Sequence, residues 1–250
     1  MIQVAERLIT RETWHGRMTF DPGYFLGQSL EVYGEWARHE IMLVAPYVRG
    51  KIVIDAGAHI GTHSLGYAKL GAKQVFAFEP HPASYRLLEQ NCQQQPICCV
   101  RAGLGDRSGT IRDLDQECRD TQFLNLEIGG NVRLQLMGDN TSPIGDIRLC
   151  RLDDLQLPPV GFIKIDVDGF EERVLEGGRA LIARDRPVLY VENDKGHENE
   201  LQEFVMSFGY VCHWHITPLF NPQNFNGVER DLFPNIHHWN MLCLPREQAS

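Results

Sequence analysis

The stretch Lys51-Ile-Val-Ile-Asp-Ala-Gly-Ala-His-Ile-Gly61 constrains this chain more than any other. A short apolar run ends in a carboxylate and a glycine turn, and a helix is predicted to begin near Thr62. Buried parallel strands read as continuous runs rich in Val and Ile. Gly57 stands where the chain must leave the strand in a tight turn, which glycine tolerates best. The predicted helix offers unpaired N–H groups in its first turn. A second apolar strand, Gln74-Val-Phe-Ala-Phe-Glu79, again ends in an acid. Open α/β sheets bind ligands beyond the carboxyl ends of their strands, and a carboxylate at Glu79 can accept hydrogen bonds from both hydroxyls of a ribose. Strand, glycine turn, helix and acid-tipped strand together describe a site for a nucleoside-containing cofactor.

Two common cofactor classes do not fit. A dinucleotide fingerprint needs Gly-x-Gly-x-x-Gly, with its middle glycine against the pyrophosphate. Here the glycines are Gly57 and Gly61, with His59 between them. No Gly-Lys-Ser/Thr follows, so there is no P-loop. Asp55 at the strand end repels phosphate and suits a cationic ligand, one carrying an amino group or a sulfonium. An NAD-dependent oxidoreductase is disfavoured on the same grounds.

The length of 250 residues fits one α/β domain with additions, and 43% hydrophobic residues supply a sizeable core. A net charge of −9 argues against broad binding to nucleic acid or to an anionic membrane. The apolar runs are too short for a transmembrane helix, and the first residues lack a signal-peptide core. A cytoplasmic protein is expected. The cysteines at 92, 98, 99, 118, 150, 212 and 243 contain no Cys-x-x-Cys, so neither a zinc framework nor a disulfide scaffold is expected.

Residues 1–50 read as an N-terminal helical extension, with an apolar stripe between Ser29 and Val44 that includes Trp36, Ile41, Leu43 and Val44. Residues 51–250 read as the cofactor-binding domain. Its predicted elements are a crossover helix over 63–70, a helix over 82–91 and a strand over 97–102. An irregular insertion spans 103–150, with hairpin turns at 129–131 and 138–140 and a strand over 144–151. Beyond it come a strand over 161–166, a helix over 171–183, a strand over 187–192, a helix over 198–208 and two final strands over 210–216 and 239–244. This alternation predicts a mostly parallel sheet with helices on both faces.

These segments, in this order, resemble the FkbM family of S-adenosylmethionine-dependent methyltransferases. The matching stretches are Ile54-Asp-Ala-Gly-Ala-His-Ile-Gly61, Ala77-Phe-Glu-Pro-His-Pro82, Gly103-Leu-Gly-Asp106, Arg151-Leu-Asp-Asp-Leu155, Phe162-Ile-Lys-Ile-Asp-Val-Asp-Gly169 and Arg186-Pro-Val-Leu-Tyr-Val-Glu192. Tyr33-Gly-Glu-Trp36 and Glu40 are similar to an upstream segment of the family. The resemblance implies a class I methyltransferase fold, Rossmann-like, with seven strands of which the last is antiparallel. It implies that Asp55, Gly57, Ala58, His59 and Gly61 hold the methionine end of the cofactor. Glu79 and Pro80 would meet the ribose, Gly105 and Asp106 the adenine, and Glu35 and Asp166 would be further cofactor contacts. The chain departs from the family at His59, where Asn is usual, and at Asp168, where Glu is usual.

Transfer of a methyl group to an alcohol needs alignment of the reacting atoms and removal of a proton. Lys164, Asp166 and Asp168 alternate, which places them on one face of a regular strand. Asp166 is a candidate base or divalent-metal ligand, or it serves only to orient the cofactor. For Lys164 a salt bridge beneath the site is favoured over a chemical role. Glu192, ending the next strand, is a second candidate base. No metal site emerges: Asp166-Val-Asp-Gly169 fails as a calcium loop, and His59 with His63 are not both on a helix. His213, His215, His237 and His238 read as packing or surface residues. The segment Leu219 to Phe225 resembles a family loop over the acceptor side. The reading favoured is an O-methyltransferase acting on a hydroxyl of a small molecule, sugar or glycan. The alternatives are an RNA 2′-O-methyltransferase and a non-catalytic cofactor-binding module.

Overall fold

The computed structural model describes residues 8–112, 127–128, 132–133, 146–193 and 198–249. The turns expected at 129–131 and 138–140 and Cys118 lie outside the described residues.

The chain opens with a hairpin, β1 (Ile9–Thr13) and β2 (Gly16–Phe20), where the sequence suggests helix. Met18 and Phe20 are fully buried. The helices of this region follow the hairpin: α1 (Phe25–Tyr33), α2 (Arg38–Leu43) and α3 (Ala45–Val48). The apolar stripe from Ser29 to Val44 is cut at Gly34, which caps α1 at φ 68. A side chain there would strike Asn226 and Phe225. Ile41 and Val44 bury completely, whereas Leu43 is exposed.

The main sheet begins with β3 (Ile52–Ala56), every residue of which is buried. It is followed by α4 (Thr62–Lys69), β4 (Gln74–Phe78), α5 (Pro82–Asn91) and β5 (Ile97–Val100). Asn91 on α5 anchors the hairpin by bonding Thr19 through both its oxygen (2.8 Å) and its nitrogen (3.1 Å). The irregular insertion forms a small sheet from β6 (Gly103–Leu104), β7 (Gly109–Arg112) and β10 (Asp146–Cys150), with β10 central. Between β7 and β10, β8 (Glu127–Ile128) pairs antiparallel with β9 (Val132–Arg133). Then come β11 (Val160–Ile165), α6 (Glu171–Gly177), α7 (Arg179–Asp185), β12 (Val188–Glu192), α8 (Glu198–Ser207), β13 (Tyr210–Pro218) and β14 (His237–Pro245). The single helix expected over 171–183 is two, because Gly177 lies against the Gly105 backbone, where a Cβ would come within 1.9 Å of its carbonyl oxygen.

The seven strands lie in the order β13-β14-β12-β11-β3-β4-β5, and β14 alone runs antiparallel to its neighbours. This is the mixed α/β sheet expected, with an antiparallel final strand. Period-two alternation splits the core between the two faces. Ile54, Ala56, Ile163 and Ile165 pack with Val174, Ile182 and Val205 on one. Val53, Phe162 and Tyr190 pack with Ile41, Val44 and Tyr67 on the other. From β3 the chain winds outward to β5, then returns to β11 beside β3 and winds the other way. That reversal point is where open α/β sheets bind ligands. No described helix is long and apolar enough to cross a membrane.

Candidate active site

Strand register assembles the site. Lys164 on β11 stands opposite Asp55 on β3 and Tyr190 on β12. One row further along, Glu192 stands opposite Asn240, and Asn240 opposite His215. Asp166 leaves β11 at the level of Glu192. A line of polar side chains therefore occupies one face of the sheet at its carboxyl edge, beneath the helices α2 and α4.

Asp55 is fully buried and both its oxygens are engaged. The Ser64 hydroxyl donates to one at 2.6 Å, and the Lys164 ammonium lies 3.2 Å from the other. Lys164 also lies 3.2 Å from Asp166 and donates to the Gly57 carbonyl at 3.0 Å. Burial alone would lower the Lys164 pKa, but Asp166 and Asp55 outweigh it and raise the ammonium above its ordinary range. The lysine therefore stays charged and ties the glycine turn to both strands. Asp166 is the member of this trio that meets solvent, at 37% exposure.

Gly57 adopts φ 78, and a Cβ there would come within 1.8 Å of the Asp166 carbonyl oxygen. Only glycine permits this approach of the turn to the end of β11. His59 adopts φ 49 and Asp168 φ 52. Left-handed backbone is tolerated best, after glycine, by Asn, Asp and His. The two departures from the family pattern thus keep residue types that suit the backbone. The His59 ring is exposed, whereas the His63 ring, 8% exposed, turns inward toward Glu40. The two histidines do not form a pair, and among the described residues no group of three or more His, Cys, Asp or Glu is arranged to hold a metal ion.

Glu79 accepts N–H bonds from His59 at 2.9 Å and His81 at 2.7 Å and is 6% exposed. Burial pushes its carboxyl up to about 7, against the opposing pull of those N–H groups. Each oxygen keeps a lone pair for a further donor. Pro80 touches the site of Gly103, so residues 103–106 run beside 79–80, with Gly105 buried and Asp106 exposed. Ala58 is buried in the floor of the turn.

Asp166 and Glu192 are joined by a side-chain hydrogen bond. Burial works to raise Asp166, but Lys164 and the hydrogen bond with Glu192 prevail and hold it low. Burial and the charge of Asp166 drive Glu192 well above the usual carboxylate range. Asp168 lies past the end of the strand, exposed, and does not extend the Lys164–Asp166 row.

The residues fit a donor such as S-adenosylmethionine. Asp166 offers an anion for an ammonium, the α4 N-terminus offers N–H groups for a carboxylate, and Glu79 offers acceptors for a ribose diol. Asp55 sits behind this surface, bonded to Ser64 and Lys164. Glu35 also lies away from it. Its oxygens bind the Asn221 amide at 2.6 Å, the Phe225 N–H at 2.8 Å and the Arg38 guanidinium at 3.2 Å. It fastens the 219–228 loop to the segment before α2.

A second polar cluster adjoins the first. Glu40 on α2, 4% exposed, bonds His238 Nδ1 and the Asn240 amide (3.2 Å) and lies 3.6 Å from His63 Nε2. His215 bonds the Tyr190 hydroxyl at 2.8 Å, while His213 and His237 are exposed. His238 is therefore more than the packing or surface residue its sequence context suggests. No local spacing marks it, because its partner is 198 residues away.

The family model described as Methyltransferase FkbM domain matches residues 55–224. Among curated proteins, the Hexuronic acid methyltransferase AglP of Haloferax volcanii is 27% identical over 129 residues, covering 50% of this chain and 49% of AglP. Methyltransferase 1 of Beauveria bassiana is 26% identical over 187 residues, covering 64% of this chain and 74% of that protein. The crystal structure of Methyltransferase FkbM from Methylobacillus flagellatus superimposes with a TM-score of 0.50 at 16% identity, covering 77% of this chain and 43% of that one. The match thus spans about half of AglP and less than half of the crystallised protein. At that identity the structural likeness speaks for the fold.

Proposed function

We propose that the chain, which belongs to the FkbM methyltransferase family, transfers a methyl group from S-adenosylmethionine to a hydroxyl of a small molecule, sugar or glycan. The observation that carries this reading is the polar line at the sheet edge. Asp166 and Glu79 flank the glycine turn where the donor binds, and the line continues past Glu192 to Asn240 and His215 on the side left for an acceptor. The name of AglP, a hexuronic acid methyltransferase, adds support for a sugar.

When bound, S-adenosylmethionine supplies an electrophilic methyl group on a sulfonium. Glu79 takes the ribose hydroxyls, with Pro80, Gly105 and Asp106 alongside the base. Asp166 takes the ammonium, and Gly57, Ala58, His59 and Gly61 shape the turn against the methionine end. Lys164 holds Asp55, Asp166 and Gly57 in register. Glu192, bonded to Asp166, stands at the acceptor side and bears on how Asp166 is held.

Two measurements test the reading. Calorimetry with S-adenosylhomocysteine should show binding that Glu79→Ala abolishes without unfolding the chain. Methyl-labelled S-adenosylmethionine should then pass label to at least one member of a panel of hydroxylated acceptors, glucuronides included, as a base-stable ether. A base-labile or nitrogen-linked product would overturn hydroxyl specificity. Donor binding with no transfer would favour the non-catalytic module.

A further inference from the structure

Removing the proton of an alcohol calls for a base on the acceptor side, and the carboxyl pair at the sheet edge is poorly placed to supply one. Asp166 is committed to Lys164, and Glu192 is taken up in a hydrogen bond with Asp166, with burial and that neighbour's charge raising it well above the usual carboxylate range. The geometry points to His238 as the general base of methyl transfer, held and oriented by Glu40.

Four observations support this. His238 lies on β14, two residues before Asn240, which stands opposite Glu192. It therefore extends the same sheet edge beyond the carboxyl pair, on the side away from the glycine turn. Its Nδ1 is bound to Glu40, and Nε2 makes no hydrogen bond among the described residues. A histidine whose Nδ1–H is fixed by a buried carboxylate presents the Nε2 lone pair outward. His238 and Glu40 also line a depression with Arg38, Thr217, Leu219 and Asn221. It has room for about one water molecule, so it suits a hydroxyl group with the bulk of the acceptor outside. Finally, Glu40 is braced by Asn240 and lies near His63, which sits just past the glycine turn.

The step balances. The acceptor O–H proton moves to His238 Nε2 as the oxygen bonds the methyl carbon. The carbon–sulfur bond breaks with its electron pair kept on sulfur, and the imidazolium, stabilised by Glu40, later returns its proton to water. Glu40 touches no substrate and acts as a positioning residue. The charged groups that act on His238 are Glu40 from α2 and Asp166 from the end of β11, and Glu35, Arg38 and His39 line the same depression. Burial alone would lower the His238 pKa, and Glu40 outweighs it, so the net shift is upward from 6.5.

This inference rests on the hydroxyl-methylation reading, and two measurements on the full chain separate them. In the first, label transfer is followed against pH with the best acceptor of the panel. His238→Gln should keep S-adenosylhomocysteine affinity within about two-fold and lose roughly 10²–10⁴-fold in kcat. The wild-type rate should rise with pH through a limb above 6.5, and Glu40→Gln should move that limb to lower pH. Transfer by His238→Gln within about three-fold of wild type overturns the assignment, as does a limb unmoved by Glu40→Gln. In the second, ring ¹⁵N spectra of His238 are titrated without any acceptor. The expected result is an Nδ1–H tautomer titrating above 6.5 and falling in Glu40→Gln. An Nε2–H tautomer, or a titration that ignores Glu40, overturns the dyad even if no panel member is methylated.

Discussion

Glu79 carries an unusual proton balance for a carboxylate that must work charged. The unfolded chain releases this proton near 4.5 and the folded chain near 7, so the folded state binds it more tightly. The group's contribution to stability therefore falls as pH rises across that window. A ribose diol, which donates two hydroxyls, is held more strongly by the charged form, in which both oxygens accept. Affinity for S-adenosylhomocysteine should rise between about pH 6 and about pH 8 and then flatten, and calorimetry across that range checks it. Lys164 stands at the opposite extreme, as a buried cation serving two carboxylates. Lys164→Met leaves Asp55, which is fully buried, without its cation, and should cost about 3–5 kcal/mol, read by urea unfolding. At this scale much was legible in the sequence. Asp55, Gly57 and Glu79 stand at strand ends, where their neighbours announce them. The left-handed backbone at His59 and Asp168 was not legible, because it is imposed by the closure of the turns against β11 and α6. Glu35 shows the same limit: its motif places it near the site, but its true partners, Asn221 and Phe225, are fixed only by tertiary docking.

Among elements, the buried strands were the most readable, since β3, β11 and β12 are continuous apolar runs. The β1–β2 hairpin was not readable, because Ile9 to Phe20 mixes polar and apolar residues without a clean period of two. It acquires its structure by docking on Asn91. The break between α6 and α7 likewise depends on a distant contact, that of Gly177 with Gly105. The glycine turn shows how one element can depend on its neighbour's backbone. Gly57→Ala adds both a positive-φ strain and a Cβ 1.8 Å from the Asp166 carbonyl oxygen. Strand β11 and the turn must then separate. S-adenosylhomocysteine binding should be lost, and the melting temperature should fall by several degrees, about 2–4 °C for each kcal/mol in a chain of this size. Calorimetry and thermal unfolding read the two effects separately.

For the whole molecule, a net charge of −9 sets what can approach it. A filter-binding assay at low salt should retain no RNA, since the electrostatic term that dominates such binding has the wrong sign; tight, salt-sensitive retention would instead favour RNA as acceptor. Apart from Asp166, the residues proposed for the donor are encoded compactly, from Asp55 to Asp106, in motifs that can be read locally. The acceptor half is not. Glu35 and Glu40 meet Asn221 and His238 across 186 and 198 residues, and no local pattern records such pairings. That separation also sets a schedule for synthesis. At roughly 5–20 residues per second, a ribosome that has made Glu40 needs about 10–40 s more to make His238. During that interval Glu35 and Glu40 lack those distant partners, with only Arg38 and His63 already made beside them. The N-terminal helices can seat early, since Ile41 and Val44 pack with Val53, Tyr67 and Phe162, whereas the bonds of Glu35 and Glu40 must wait for the last hairpin. A nascent chain stalled before β13 would therefore hold Glu35 and Glu40 without Asn221 and His238, and the closing of those bonds would mark the arrival of the final strands.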